Sequence, residues 1–472
     1  MSQHQIVTPW HQTGDIVCYI FAWIAKDSHK QLRRVCSGWL FQTPTVFRYI
    51  EGFPFKEAVR KLHVTCLINP EPAIDDIRTY PNVQTVRIDS PIADNEITAL
   101  MQIGTLEKIT FAPTRETTHI AFDDIRARPD VEISIVFRGH QCFVQRPNEL
   151  VKLILACPNV VCVDFTSTYA SHDEPDEFEL FVMCDKLRRV CFSQNRDLAC
   201  RAAKHIAEIP HIQVVDLSGS NHDRCFGSAY MSDDECHHEC RCGKHSGFRS
   251  NIFEPFVKCV ELHTLILSDC TNVNKVVLTN LSLIPNLTYL DISGNDRLET
   301  KDLAAICMPK LSTLVIERSD LHCLVIDFIG ECPKLETVRE GSCDSMDENS
   351  DEFDPKRFPL LTDIDLSNMP IQTDVLVRLA KYRTLRKINL GGSMFDVYFF
   401  ELLRDFPRLQ SIDLSLIKLV DEDTESMDVS VEDTWYITAC LSLREVNITG
   451  VGMSDRSKQQ LMNRFGSLLV ID

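Results

Sequence analysis

The sequence predicts an α/β fold, a solenoid in which a curved parallel sheet is backed by outer helices. The first observation is a pattern, apolar-x-x-apolar-x-apolar, that recurs in six successive segments and is typical of a short strand that buries alternate residues. About a dozen residues then follow, enough to return as a helix to the next strand. The first apolar residues are Leu287, Leu311, Leu335, Leu361, Leu385 and Leu409, with gaps of 24, 24, 26, 24 and 24 residues.

The pattern extends in both directions and gives about fifteen units in all. A unit near Val131, in the segment DVEISIVF, permits two registers. The stretch LTYLDISGN, from Leu287 to Asn295, resembles the strand motif of the leucine-rich repeat, and the spacing lies within that family's range of 20–29 residues. The resemblance implies a leucine-rich-repeat solenoid over residues 58–472. The further first apolar residues are Val59, Val83, Leu106, Val160, Leu187, Ile212, Leu262 and Leu443, followed by a terminal half-unit, SLLVID.

A second apolar column stands three residues before each strand pattern, where the returning helix ends. Five of its members are cysteines: Cys157, Cys184, Cys259, Cys332 and Cys440. A recurring core position predicts buried free thiols rather than a disulfide framework. Free thiols among 20 Cys favour a reducing compartment, the cytoplasm or the nucleus.

Residues 1–57 lie outside the repeat and predict short helices. Residues 16–25 are apolar but too few to span a bilayer, and no Lys or Arg precedes them as in a signal peptide. The segment TPTVFRYI predicts the start of a third helix. Helices this short bury their apolar residues only against the solenoid or a partner.

This segment resembles an F-box, in which a helix bearing an Ile-Phe pair is followed by a polar link and Val-Cys-x-x-Trp. The usual opening Leu-Pro is missing. The resemblance implies a Skp-type adaptor, a cullin scaffold and a role as substrate receptor of an SCF-type ubiquitin ligase. Two alternatives are an elongin-binding box of a cullin adaptor and a plain cap on a leucine-rich scaffold with no link to ubiquitin. The expected adaptor-binding residues are Ile16, Ile20, Phe21, Ile24, Leu32, Val35, Cys36 and Trp39.

Three insertions, near residues 219–256, 341–355 and 418–436, follow strands and therefore emerge on the same rim. The first contains the metal-ligand types Cys236, His238, Cys240, Cys242 and His245. Zinc sites pair ligands from separated turns, whereas these crowd into ten residues, so a surface loop with reduced thiols is favoured over metal binding. We expect no cofactor.

The exposed position between the second and third apolar residues is mostly acidic or amide. With a net charge of −19, this row favours a basic protein substrate and disfavours nucleic acid and anionic membranes. The alternative is that Asp and Asn are simply common at this position in leucine-rich repeats. No catalytic constellation is recognisable, so an enzyme is not expected. Asp164 holds the same exposed position in an earlier repeat, and the expected substrate-binding residues are Asp216, Asp291, Asp365, Asn389, Asp413 and Asn447.

Overall fold

The computed structural model divides into two compact units, Met1–Cys191 and Phe192–Asp472. Within them the structure describes residues 49–51, 66–68, 83–92, 94–113, 119–136, 159–166, 181–182, 184–194, 202–203, 205–219, 250–270, 273–295, 297–319, 321, 324–341, 354–396, 398–421, 424–427 and 429–470.

The first unit is a parallel sheet, with helices described between its third and fourth strands and between its fourth and fifth strands. Strands β1–β7 are Tyr49–Glu51, Cys66–Ile68, Thr85–Ile92, Lys108–Pro113, Glu132–Val136, Val160–Asp164 and Arg189–Cys191, and helices α1 and α2 are Asp94–Met101 and His119–Arg126. Each of these strands pairs in parallel with the next one along the chain.

The first unit shows the structure at the end of the segment TPTVFRYI and the strand register near Val131. The end of TPTVFRYI begins strand β1, not a helix, so the sheet of this unit starts ahead of residue 58. In the unit near Val131, Ile133 pairs with Ile109 and Ile135 with Phe111, which selects one of the two registers. All four side chains are fully buried.

The second unit continues the same pattern of short parallel strands. Strands β8–β20 are Val214–Asp216, Thr264–Ile266, Tyr289–Asp291, Thr313–Val315, Thr337–Arg339, Asp363–Asp365, Lys387–Asn389, Met394–Asp396, Ser411–Asp413, Lys418–Asp421, Thr424–Met427, Glu445–Asn447 and Leu469–Val470. Helices α3–α8 are Lys275–Ser282, Val325–Phe328, Thr373–Leu379, Phe399–Leu402, Val431–Ala439 and Asp455–Phe465. Short 3₁₀ helices occupy Ser250–Lys258, Thr300–Ala305, Pro355–Arg357, Leu403–Asp405 and Gly466–Leu468.

The three apolar positions of the pattern form the core. In the unit of β10, Leu287, Leu290 and Ile292 are all buried, and the matching residues of neighbouring units are buried with them. Because side chains of a strand alternate between faces, the residues between them stay on the exposed face of the sheet. The fold is a leucine-rich-repeat solenoid, which confirms the predicted class.

The predicted cysteine column is also confirmed within the described residues. Cys184, Cys259, Cys332 and Cys440 are buried and carry free thiols. Burial raises the pKa of each thiol to about 11, so the neutral form persists at physiological pH. The Cys259 thiol donates a hydrogen bond to the carbonyl oxygen of Ala207 at 3.2 Å and so links its repeat to the preceding repeat.

The turns after β7, β8, β9, β10, β11, β13, β14, β16 and β19 each contain a residue in the left-handed region. Gly294 has φ +63° and Gly392 has φ +72°, as suits glycine, but the equivalent residue after β16 is Leu416 with φ +57°. A Cβ on Gly294 would collide with the Asp269 carboxylate of the preceding unit. This position is therefore restricted both by backbone conformation and by the close approach of adjacent units.

The described residues of the insertion predicted near 418–436 form regular secondary structure. Its β17 pairs in parallel with β15 and antiparallel with β18, which makes a small three-stranded sheet, and its end enters α7. Most of the insertions near 219–256 and 341–355 lies outside the described residues.

Candidate functional site

The predicted acidic and amide residues lie in one row on the exposed face of the second unit. Each is the last residue of its strand, and the parallel pairing aligns these last residues from β8 to β19. The row is not uniform, because β9, β11 and β12 end in Ile266, Val315 and Arg339. Its acidic and amide members are Asp216, Asp291, Asp365, Asn389, Asp413 and Asn447, and Asp164 ends β6 in the first unit.

One side-chain oxygen of each of these residues caps the turn that follows its strand. The Oδ1 atom accepts the backbone N–H two residues later, as in Asp291 with Ser293 at 2.9 Å and Asn447 with Thr449 at 3.2 Å. The same bond recurs in the other members. Asp and Asn both supply this oxygen, so the turn explains the choice of the two residue types without fixing the charge.

The alternation of Asp and Asn from β13 to β19 has a second cause. The Asn389 amide donates to Oδ2 of Asp365 at 2.8 Å, and the Asn447 amide donates to Oδ2 of Asp413 at 2.9 Å. An Asn between two Asp residues thus replaces repulsion between like charges on adjacent strands by a hydrogen bond. Both oxygens of Asp365 and Asp413 therefore accept hydrogen bonds.

Asp291 differs from those two aspartates. Its row neighbours are Ile266 and Val315, neither of which can donate a side-chain hydrogen bond. Only its Oδ1 accepts a bond from the described residues, so Oδ2 is available to a ligand.

Two further groups stand beside Asp291 that the sequence interpretation missed. Tyr289 lies on the same face of β10, and burial, with a smaller effect from Asp291, raises the pKa of its hydroxyl. Glu317 follows β11 at a position where adjacent units carry Ser293 and Gly341, and burial raises the pKa of its carboxyl, helped by Asp365. The signal that could have revealed Glu317 was a large charged residue at a position otherwise filled by small ones.

A second polar cluster is buried in the core behind this face. Glu340 occupies the third position of its unit's strand pattern, which we took to be apolar in every unit, and it is only 3% exposed. Its Oε2 accepts the N–H of Val325 at 2.6 Å at the start of α4. Burial raises the pKa of this carboxyl well above its usual value, which favours the neutral form.

Asp327 of α4 belongs to the same cluster and forms an ion pair with Arg378 of α5. Burial raises the pKa of Asp327 to about 6 in spite of the cations of Arg378 and Arg357. Asp327 Oδ1 and Glu340 Oε1 accept no hydrogen bond from any described residue. The side chains of Asp327 and Arg378 are 0% and 12% exposed, so this cluster belongs to the interior of the solenoid.

The remaining predicted sites lie outside the described residues. These are the eight adaptor-binding residues between Ile16 and Trp39 and the Cys/His segment from Cys236 to His245. Within the described part of the chain, no group of three or more His, Cys, Asp and Glu side chains is placed to hold a metal ion. None of the described helices combines the length and apolar character needed to cross a membrane.

Comparison with known proteins returns structural neighbours only. One is an internalin (inlF) from Listeria monocytogenes str. 4b F2365, with 12% identity and a TM-score of 0.47 over 81% of this chain and 89% of that chain. Another is TLR13 in its complex with ssRNA13, with 12% identity and a TM-score of 0.44 over 82% of this chain and 54% of that chain. No family model and no curated protein matches the sequence.

Proposed function

We propose that this chain is a non-catalytic binding protein whose exposed sheet face holds a basic segment of another protein. The observation that carries the proposal is the acidic row, in which backbone N–H groups fix the Oδ1 atoms of Asp291, Asp365 and Asp413. Fixed carboxylates favour a cationic ligand without a further cost of ordering side chains.

The test is binding of a fluorescent oligolysine peptide to the whole chain at low and high salt. Asn keeps the turn bond, as Asn389 shows, so replacing all three aspartates by Asn removes three charges and retains the turns. At Asp365 and Asp413 the substitution also breaks the lateral bonds from Asn389 and Asn447, so circular dichroism and thermal unfolding must first show that the variant is folded. We expect this triple variant to lose roughly tenfold in affinity and part of the salt dependence.

The matched control removes the same charge from the outer layer. Glu208, Glu331 and Asp405 are exposed and occupy one equivalent position, four residues before the strand pattern of their units. Replacing them by Gln, Gln and Asn should leave peptide binding nearly unchanged. Equal losses in the two triple variants would mean that net charge alone attracts the peptide, and the proposed site would be wrong.

We further propose that the chain is the substrate-recognition subunit of an SCF-type ubiquitin ligase. This finer proposal is supported by the resemblance of Ile20-Phe21 and Val35-Cys36-x-x-Trp39 to an F-box and by its position ahead of a leucine-rich solenoid. It implies a Skp-type adaptor and a cullin. The rival proposals are an elongin-binding cullin adaptor and a scaffold without a ubiquitin role.

Co-purification from cells tests the assignment. A Skp-type adaptor should be recovered with the wild-type chain and lost when Ile20 and Trp39 are replaced by Ala. Recovery of an elongin would support the second reading. Recovery of neither, or an adaptor that still binds the double variant, would refute the F-box assignment and leave the scaffold.

A further inference from the structure

Arg339 interrupts the acidic row at the end of β12. Its register neighbours are Val315 on β11 and Asp365 on β13. The side chain is exposed. In the part of the chain that the structure describes, its guanidinium makes no hydrogen bond and no ion pair within 4.0 Å. A cation therefore stands among fixed anions without being paired to one.

The neighbouring groups account for this. One carboxylate oxygen of Asp365 accepts a hydrogen bond from the N–H of Ser367 at 3.0 Å, and the other accepts one from the Asn389 amide at 2.8 Å. Val315 has no polar side-chain atom. The positive charge of Arg339 opposes the rise in the pKa of Glu317 and of Tyr289. Neither residue forms a hydrogen bond or an ion pair with the Arg339 guanidinium. The planar fork of five N–H donors on Arg339 remains available for a ligand.

We propose that the basic partner segment carries one acidic side chain, which pairs with Arg339 while its flanking cations face the aspartates. The inference rests on the proposed function and specifies the partner's charge pattern. A segment with only cations would place one of them against Arg339, and this like-charge contact would oppose binding. A carboxylate at that point instead matches the guanidinium in geometry and charge.

The dimensions of the row agree with a single extended segment. Adjacent strands lie about 4.8 Å apart, so Arg339 is one strand from Asp365 and two strands, about 10 Å, from Asp291. A partner segment in the extended polyproline II conformation has three residues per turn and rises about 3.1 Å per residue, so side chains three residues apart lie on one face about 9 Å apart and match this spacing. Tyr289 beside Asp291 adds an aromatic surface of the kind enriched at the centres of protein interfaces.

The experiment is a double-mutant cycle with the whole chain and two synthetic probes. The probes are oligolysine peptides of equal length that carry either Glu or Gln at the centre. The wild-type chain should bind the Glu peptide about fivefold more tightly than the Gln peptide, although the Glu peptide has the lower net positive charge. Arg339→Gln should abolish this preference and still bind both peptides.

Lys387→Gln is the matched control. Lys387 is an exposed cation on the same face, two strands from Arg339, but it already has a partner in Asp363, at 3.9 Å. This variant should keep the preference for the Glu peptide. A preference that disappears in both variants would assign the effect to general electrostatics and overturn the inference.

The outcomes separate the inference from the proposed function. If both peptides bind the wild-type chain equally, or the preference survives in Arg339→Gln, the specific role of Arg339 is wrong and the basic-partner proposal stands. If neither peptide binds at low salt, the proposed function fails and the inference fails with it.

Discussion

Replacing Arg378 by Met should destabilise the second unit far more than the removal of an exposed arginine. Arg378 pairs with Asp327, which lies two repeats earlier in the same compact unit. The exposed fractions of the Arg378 and Asp327 side chains are 12% and 0%. Met retains much of the aliphatic volume of Arg, so the main change is the loss of a buried cation. Asp327 would then keep a carboxylate with no direct counter-ion in the core.

The size of the loss follows from this burial. Removing one partner of a buried ion pair typically costs about 3–5 kcal/mol in the free energy of unfolding. Here Arg357 remains close, since its guanidinium donates to the carbonyl oxygen of Asp327 at 3.1 Å. A second cation softens the penalty, so we expect a loss of about 3 kcal/mol at pH 8.

The loss should also depend on pH. The folded-state pKa of Asp327 is about 6, above its ordinary value of 3.8, and removing Arg378 raises it further. A carboxyl whose pKa is higher in the folded state gains stability as the pH falls through that pKa. At pH 5 Asp327 is largely protonated in the folded state of both proteins, so the difference between wild type and variant should shrink.

Urea denaturation followed by circular dichroism at pH 8 and pH 5 measures the effect, with hydrogen exchange over residues 324–341 to locate it. Arg318→Met is the control, because Arg318 pairs with Asp269 at 3.1 Å with side chains 57% and 43% exposed. Such an exposed pair contributes less than about 1 kcal/mol. Equal losses for the two variants, or a loss for Arg378→Met that is the same at both pH values, would refute the reasoning.

Three other predictions concern the row, the turns and the thiols. Asn389→Asp should cost about 0.5–1 kcal/mol in urea denaturation, because it replaces the bond to Asp365 by repulsion; no loss would contradict the lateral bond. Leu416→Gly should stabilise the fold by about 0.5–1 kcal/mol, because glycine adopts the positive φ of this position without strain. Gly294→Ala should destabilise the fold by at least about 1 kcal/mol, because its Cβ would collide with Asp269. Thermal unfolding of the two variants measures both effects. Cys332, with a pKa of about 11, should resist iodoacetamide at pH 8 until urea is added, as peptide mass spectrometry would show.

The sequence was sufficient to predict the repeating architecture because each unit repeats the same local physics. Leu287, Leu290 and Ile292 are buried for the reason that governs every unit, the alternation of side chains along a strand. The acidic row followed from the same period, since its members occupy the exposed position between two of these residues. Periodicity thus predicts what the units share, including the placement of Asp291 and its equivalents.

The repeat spacing could not predict the residues whose roles depend on contacts with a neighbouring repeat. Glu340 breaks the apolar pattern, and its burial makes sense only once Val325, 15 residues earlier, offers an N–H to it. Arg339 next to it breaks the acidic row, and its lack of a partner follows from the lateral bond that Asn389 makes to Asp365. Both departures fall in one repeat, where consecutive residues place an unpaired cation on the exposed face and a buried carboxyl in the core. Departures from a local pattern are expected at functional sites, which is why this repeat is where binding and stability should be tested together.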